Sequence, residues 1–222
     1  MHNYDNEEYT LVSGLKVALH RETNPSVRES RNGELLFLFH GLGAHSGTWR
    51  KNIPYFARLG FEVIAPTIPT DLHQIITLDK IEAYTKQIEE LFKLMPKAAE
   101  DRKLTLVGNS MGGWLAMNLA LENPRIVRSL ILEDTAGVRE TNNLLENKVE
   151  HTASFLDRLN QTAIPVLIAW GDQDRIIPIE YGHYLKSKIE KSSLIVFENT
   201  GHVPHWEKPD NFNAAVASFL SI

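Results

Sequence analysis

Short runs of almost unbroken apolar residues, each followed by a longer stretch of different pattern, recur through this 222-residue chain. Glu34–Phe39, Phe61–Ala65, Lys103–Val107, Ser129–Leu132, Ile164–Trp170 and Leu194–Phe197 are too short for ordinary helices and too continuously apolar for strands with one wet face. They read as strands covered on both sides. Leu78–Met95 sets Ile81, Tyr84, Ile88, Leu91, Phe92 and Met95 on one helical face and stops before Pro96. Met111–Glu122 is apolar nearly all round, which predicts a helix buried against the sheet. Ala153–Asn160, Glu180–Ile189 and Asn211–Leu220 supply further helices, and Tyr9–Val12 with Leu15–His20 flank Ser13-Gly14 as an opening hairpin. Strands alternating with helices predict an α/β fold. Its sheet is twisted and mostly parallel, of about eight strands, with an antiparallel start and helices on both faces. No repeat, low-complexity tract or long linker divides the chain, so residues 1–222 are expected to form a single domain.

Composition narrows the function. Hydrophobic residues make up 43% and charged residues 23%, ordinary values for a globular core. A net charge of −5 carries no basic signature, which argues against nucleic acid as a partner. No apolar run reaches the roughly 18 residues that a bilayer span needs. The polar, acidic opening MHNYDNEEYT lacks the apolar core of a signal peptide. Cysteine is absent, which excludes disulfides and thiolate metal ligands. These features fit a cytoplasmic protein.

One turn carries chemistry. Gly108-Asn109-Ser110-Met111-Gly112 is a G-x-S-x-G pentapeptide between the strand KLTLV and the helix beginning at Met111. A sharp strand-to-helix turn strains the backbone at its apex, and glycines two residues to either side avoid the collision that side chains would cause. Ser110 is thereby expected to project its hydroxyl above the sheet, with a helix N-terminus beneath it to favour developing negative charge. The Gly-Lys-Ser/Thr ending of a phosphate-binding loop is missing.

With that turn in place, the chain resembles the α/β-hydrolase family of serine hydrolases from about Glu34 onward. The resemblance rests on four blocks in family order: HGLGAHSGTW from His40, GNSMGG from Gly108, WGDQDRIIP from Trp170 and GHVPHWEKP from Gly201. It implies a catalytic triad of Ser110, Asp174 and His202 in the family's chain order. His202 would take the Ser110 proton and return it to the leaving group. The acid turn Gly171-x-x-Asp174-x-x-x-Pro178 selects Asp174 over Asp172, while Asp134, after the preceding strand, stands as a rival because some relatives place the acid there. Asp174 would hold the imidazole tautomer and stabilise the imidazolium. The oxyanion hole would use the N–H of Met111 and, from the His40-Gly41-Leu42-Gly43 turn, that of Leu42. His202 and His205 are spaced H-x-x-H without a third ligand cluster, so no metal is expected, and the triad needs no cofactor. The other eight histidines read as surface residues.

The chain departs from the family in two places. Many relatives carry D-x-x-G-x-G-x-S after the strand equivalent to FEVIA; here Pro66-Thr67-Ile68-Pro69-Thr70 follows, which predicts a reshaped pocket loop. Relatives also often insert a helical cap after the strand equivalent to SLIL. Glu133–Ala163 spans only 31 residues, leaving 137–152 for a minimal lid with one short helix bearing Leu144, Leu145 and Val149. The cleft walls would then come from His40–Trp49, Pro66–His73 and the stretch around Trp206. The implied activity is hydrolysis of a carboxylic ester or thioester of a small to medium substrate through an acyl-serine, with a small molecule as the partner. GNSMGG is also similar to the elbow of hydrolases that cleave carbon–carbon bonds in ring-opened aromatic compounds. Acyl transfer would start from the same triad, and a non-catalytic receptor on this fold is a third class.

Overall fold

The computed structural model describes residues 4–10, 14, 16–22, 34–94, 103–138, 145–146 and 149–221. Eight strands form the main sheet: β1 (Tyr4–Thr10), β2 (Lys16–Glu22), β3 (Leu35–Phe39), β4 (Glu62–Thr67), β6 (Leu104–Asn109), β7 (Val127–Glu133), β9 (Val166–Gly171) and β10 (Ser192–Phe197). Their order is β1-β2-β4-β3-β6-β7-β9-β10. β2 pairs antiparallel with both β1 and β4, and every later pairing is parallel, as the sequence pattern predicts. A second, two-stranded sheet joins β5 (Ile76–Thr77) to β8 (Leu145–Glu146). No helix among the described residues is long and apolar enough to cross a membrane.

Period-two alternation divides the core. In β3, Leu35, Phe37 and Phe39 join one cluster while Leu36 and Leu38 join the other. In β9, Val166, Ile168 and Trp170 go to the first and Leu167 and Ala169 to the second. The first layer is covered by α2 (Leu78–Leu94), α3 (Met111–Glu122), α4 (Val149–Thr162) and α5 (Glu180–Lys188). The second lies under a 3₁₀ turn at Ser46–Trp49, α1 (Ile53–Arg58) and α7 (Pro209–Phe219). Burial on both faces is the reason β3, β4, β6, β7 and β9 do not alternate in polarity; β10, expected to be covered on both sides, lies at the sheet edge and is only partly covered, with Val196 exposed. Helix α3 sits deepest, with ten of its twelve residues buried, in keeping with its apolar circumference.

Several boundaries differ from expectation. Strand β6 runs on through Gly108 and Asn109, so the turn is a single residue, Ser110. Helix α1 has only Ile53, Phe56 and Ala57 on its buried face, too brief a period to stand out in sequence. In the segment expected as a lid, Leu145 lies in a strand rather than a helix, and α4 begins at Val149, four residues earlier than predicted. Leu144, the hairpin tip at 11–13 and 15, and Met95 with Pro96 lie outside the described residues.

Candidate active site

Ser110 stands between β6 and α3 with φ 54° and ψ −119°, a conformation that costs a non-glycine residue about 1–3 kcal/mol. Its backbone is held from several sides. The Ser110 N–H donates to Glu133 O at 2.9 Å, and its carbonyl accepts from Gly113 N at 3.0 Å, Ala136 N at 3.0 Å and Trp114 N at 3.3 Å. The flanking glycines are required by contact. A Cβ on Gly108 would lie 2.2 Å from Gly112 O, and one on Gly112 would lie 2.3 Å from Phe39 O. The turn is thus locked against both β3 and β7.

His202 and Asp174 come from the loops after β10 and β9. His202 Nδ1 is 2.6 Å from Asp174 Oδ2, and Asp174 is buried. The other Asp174 oxygen, Oδ1, accepts from Ile176 N at 2.7 Å and Ile177 N at 3.0 Å. Burial pushes the Asp174 carboxyl up, but the His202 hydrogen bond and charge, with the Ile177 and Ile176 N–H groups, outweigh it and hold the group below the usual range. With Nδ1–H given to Asp174, the His202 tautomer leaves Nε2 as the acceptor. Two contacts fix the His202 loop. Asn109 Nδ2 donates to His202 O at 2.9 Å, and the Glu207 carboxylate accepts from Gly201 N at 2.9 Å and Val203 N at 3.3 Å. Asp172, the other aspartate of the acid turn, is exposed and accepts instead from Thr200 N at 3.1 Å.

Asp134, the rival acid, also belongs to this cluster without touching His202 in the same way. It is fully buried, has φ 42°, and accepts from Gly171 N at 3.0 Å through Oδ1. Its Oδ2 is buried with no partner. Burial, then the charge of Glu133, push its carboxyl well above the usual range against the Gly171 N–H, and Asp174 adds to the push. Asp134, Asp174 and His202 each offer a donor atom within 4.8 Å of the others, and a cation there would compete with the Asp174–His202 hydrogen bond.

Leu42 and Met111 line the same cavity as Ser110. Gly41 packs onto the turn so tightly that a Cβ there would lie 2.9 Å from Asn109 Oδ1 and 3.3 Å from Ser110 Cβ. Met111 opens α3, where the first N–H groups have no partner within the helix. The His40–Gly43 turn is held from below. His40 Nε2 accepts from Ile68 N at 2.9 Å while Nδ1 donates to Gly41 O at 2.7 Å, and burial lowers the His40 pKa, so this ring is a neutral strut. Gly43 N donates to Thr70 Oγ1 at 3.0 Å and Ser46 N to Thr67 Oγ1 at 3.1 Å. The Pro66–Thr70 departure therefore anchors the turn.

Ser110, Asn109, Met111, Leu42 and His202 open onto a cavity of about 530 Å³ whose other lining residues are Gly41, Ala44, Leu72, Ile76, Ala136, Ile176, Ile177 and Val203. None of these is Lys, Arg, Asp or Glu. Leu72 and Ile176, 66% and 64% exposed, stand at its apolar rim. Trp206 is not in the lining; its ring lies under Arg50 and Lys51, 4.1 and 4.5 Å from its centroid. Of the stretch around Trp206, Val203 lines the cavity, and Ile176 and Ile177 of the turn after Asp174 complete the wall.

Two residues behind the site escaped the sequence reading. His205 and Glu133 are fully buried, with His205 Nδ1 2.7 Å from Glu133 Oε2 and His205 N donating to Glu133 Oε1 at 2.6 Å. The expectation that histidines other than His202 are superficial fails for His205 and His40, both fully buried. A glutamate ending a strand carries no local mark of a partner 72 residues away.

A family model described as alpha/beta hydrolase fold matches residues 34–151 and 140–209. The chain belongs to the α/β-hydrolase fold family. Among its curated relatives, a 2-hydroxy-6-oxononadienedioate/2-hydroxy-6-oxononatrienedioate hydrolase of a Pseudomonas species is 24% identical over 262 residues, covering 88% of this chain and 91% of the relative. A 2-hydroxy-6-oxo-6-phenylhexa-2,4-dienoate hydrolase of Burkholderia cepacia is 25% identical over 260 residues, covering 88% and 90%. Among solved structures, a thermophilic esterase from Thermogutta terrifontis shares the fold with TM-score 0.73 at 19% identity, over 98% of each chain.

Proposed function

We propose that this α/β hydrolase cleaves carboxylic esters or thioesters of small to medium apolar substrates through an acyl-Ser110 intermediate. The observation that carries the reading is that His202, with Nδ1 2.6 Å from Asp174 Oδ2, opens with strained Ser110 onto one apolar cavity. In this reading Ser110 Oγ attacks the acyl carbon while His202 Nε2 takes its proton. The carbonyl oxygen becomes an oxyanion that accepts from the Met111 and Leu42 N–H groups. Collapse breaks the acyl–oxygen or acyl–sulfur bond, and the His202 proton goes to the leaving group. Water then attacks the acyl-serine, giving its proton to His202, and the acid leaves as Ser110 regains a proton.

Carbon–carbon bond hydrolysis is the second reading, favoured by the names of the relatives. Those names describe dienoates and dienedioates, substrates with one or two carboxylates, and a carboxylate brought into a closed site needs a cation or several donors. The described lining of this cavity offers no Lys or Arg, which favours an uncharged acyl group. The lengths differ as well. Of the 222 residues, 88% is 195, so 65 of the 260 positions aligned with the Burkholderia relative have no counterpart here. The two family-model segments meet at 140–151, within the 137–152 stretch that we assign as a minimal lid on a single domain.

The test is a fluorophosphonate probe with a paired substrate panel. Labelling is expected at Ser110 and lost in Ser110→Ala, whose turnover falls about 10⁴-fold or more with the fold intact. Acyl esters are expected to exceed a 2-hydroxy-6-oxodienoate in kcat/KM. Labelling at another serine, or preference for the dienoate, overturns the reading.

A further inference from the structure

We infer that Asp134 is a positioning residue of this site, a neutral carboxylic acid that gives its hydrogen to the Asp174 carboxylate and replaces that carboxylate when it is removed. The inference rests on the reading of Ser110, Asp174 and His202 as the working triad.

The geometry distributes the donors unequally between two neighbouring carboxyls. Asp174 uses both oxygens, one for His202 and one for the two N–H groups of Ile176 and Ile177. Asp134 receives one N–H, from Gly171, and keeps one buried oxygen without a partner. Both groups are shielded from water, and their donor atoms lie within 4.8 Å of each other and of His202. Two full negative charges at that separation repel strongly where water cannot screen them. The charge belongs on the better-solvated carboxyl, Asp174, and the proton on Asp134.

The groups around Asp134 leave no other arrangement. Glu133 precedes it on β7 and adds negative charge; His205, on α6 (Pro204–Glu207), is committed to Glu133. His202 faces Asp174, and among the described residues no lysine or arginine shifts the Asp134 carboxyl. A proton on Asp134 Oδ2 would satisfy the orphaned oxygen as a donor, with Asp174 the acceptor that the cluster offers. Its φ of 42° further indicates that surrounding structure, not local preference, dictates where this aspartate stands.

A backup role follows. With Asp174 made neutral, its share of the repulsion on Asp134 is removed while burial and the Glu133 charge remain, and Asp134 is left as the one acidic carboxyl of the cluster within reach of His202. The pair then titrates as a unit, not as two independent acids.

The experiment measures Ser110 labelling by fluorophosphonate and ester kcat/KM against pH for Asp134→Ala, Asp134→Asn, Asp174→Asn and the double variant Asp134→Asn/Asp174→Asn. Asp134→Ala should lose about 10-fold or more in kcat, with KM little moved, because it strands the Gly171 N–H and removes the donor to Asp174. Asn, which carries an amide N–H₂ in place of the acid hydrogen, should rescue most of that loss. In the Asp174→Asn background the same Asn substitution should cost at least about 10-fold more, a coupling that independent structural roles do not produce. Equal costs of Asp134→Asn in both backgrounds, or Asn as damaging as Ala, would overturn the inference. Wild-type protein that leaves Ser110 unlabelled would instead overturn the serine-hydrolase reading beneath it.

Discussion

Gly171 and Gly201 approach so closely that a Cβ on Gly171 would lie 2.0 Å from the Gly201 carbonyl oxygen. The first glycine ends β9 three residues before Asp174, and the second immediately precedes His202. Their contact sets the distance between the two loops whose side chains meet at 2.6 Å. Gly171 N also holds Asp134 Oδ1, so one peptide links both carboxylates to the histidine loop.

Gly171→Ala should therefore damage activity out of proportion to stability. Backbone must move to admit the methyl, at about 1–3 kcal/mol. Displacement of His202 by even about 1 Å can cost about 10²-fold in turnover. Thermal unfolding and ester kcat/KM measured together check this, and a stable variant of wild-type activity would contradict it.

The Glu133–His205 pair should behave in the opposite way. It ties the end of β7 to α6 with two short hydrogen bonds, and the His205 ring stacks on Trp49 at 3.8 Å between centroids. Glu133→Ala leaves the buried His205 donors unpaired, a loss of about 2–4 kcal/mol. Tm should fall by about 5 °C or more. Differential scanning calorimetry reads the effect directly.

Stability against pH should separate the two aspartates by sign. Asp174 is held below the ordinary range, so its ionised form contributes stability above that range, lost as pH falls through the lowered value. Asp174→Asn should thus be most destabilising at neutral pH and least so in acid. Asp134 is raised, so the folded state retains a proton that the unfolded chain has already released, and stability declines as pH rises above the ordinary carboxylate range. Asp134→Asn should gain stability relative to wild type as pH rises from the ordinary carboxylate range toward the raised value. Denaturant unfolding of both variants from about pH 3 to 9 tests the pair of slopes.

Much of this site is legible in sequence because its backbone demands are severe. Gly108 and Gly112 face carbonyl groups across gaps that admit no side chain, which forces a recognisable pattern around Ser110. The strands announce themselves by losing polarity on both faces. What escaped notice depends on contacts between distant residues. Asn52, which donates to His205 O at 3.1 Å and Asn213 Oδ1 at 2.9 Å, looks like any polar residue before a short helix. The stretch around Trp206 is expected among the cleft walls, but the position of Trp206 on α6 turns its ring toward Arg50 and Lys51. Ile176 and Ile177 gain their place in the wall from the hydrogen bonds that bend the chain around Asp174, a geometry that pattern alone does not carry.

Substrate length should follow the dimensions of the cavity. A space of about 530 Å³ with apolar walls rewards each added methylene by about 0.8 kcal/mol while the chain remains enclosed. Beyond the rim at Leu72 and Ile176, both more than half exposed, further carbons remain in water and gain little. For p-nitrophenyl esters of two to sixteen acyl carbons, kcat/KM should rise over the short members, level off in the medium range and not climb again. Leu72 also packs over Gly43, where a Cβ would lie 2.3 Å from Leu72 Cγ, so it joins the rim to the His40–Gly43 turn. Leu72→Ala should move the plateau to shorter chains by removing that edge of the wall. A preference that keeps growing to sixteen carbons would require a tunnel beyond this cavity and would reject the medium-chain assignment.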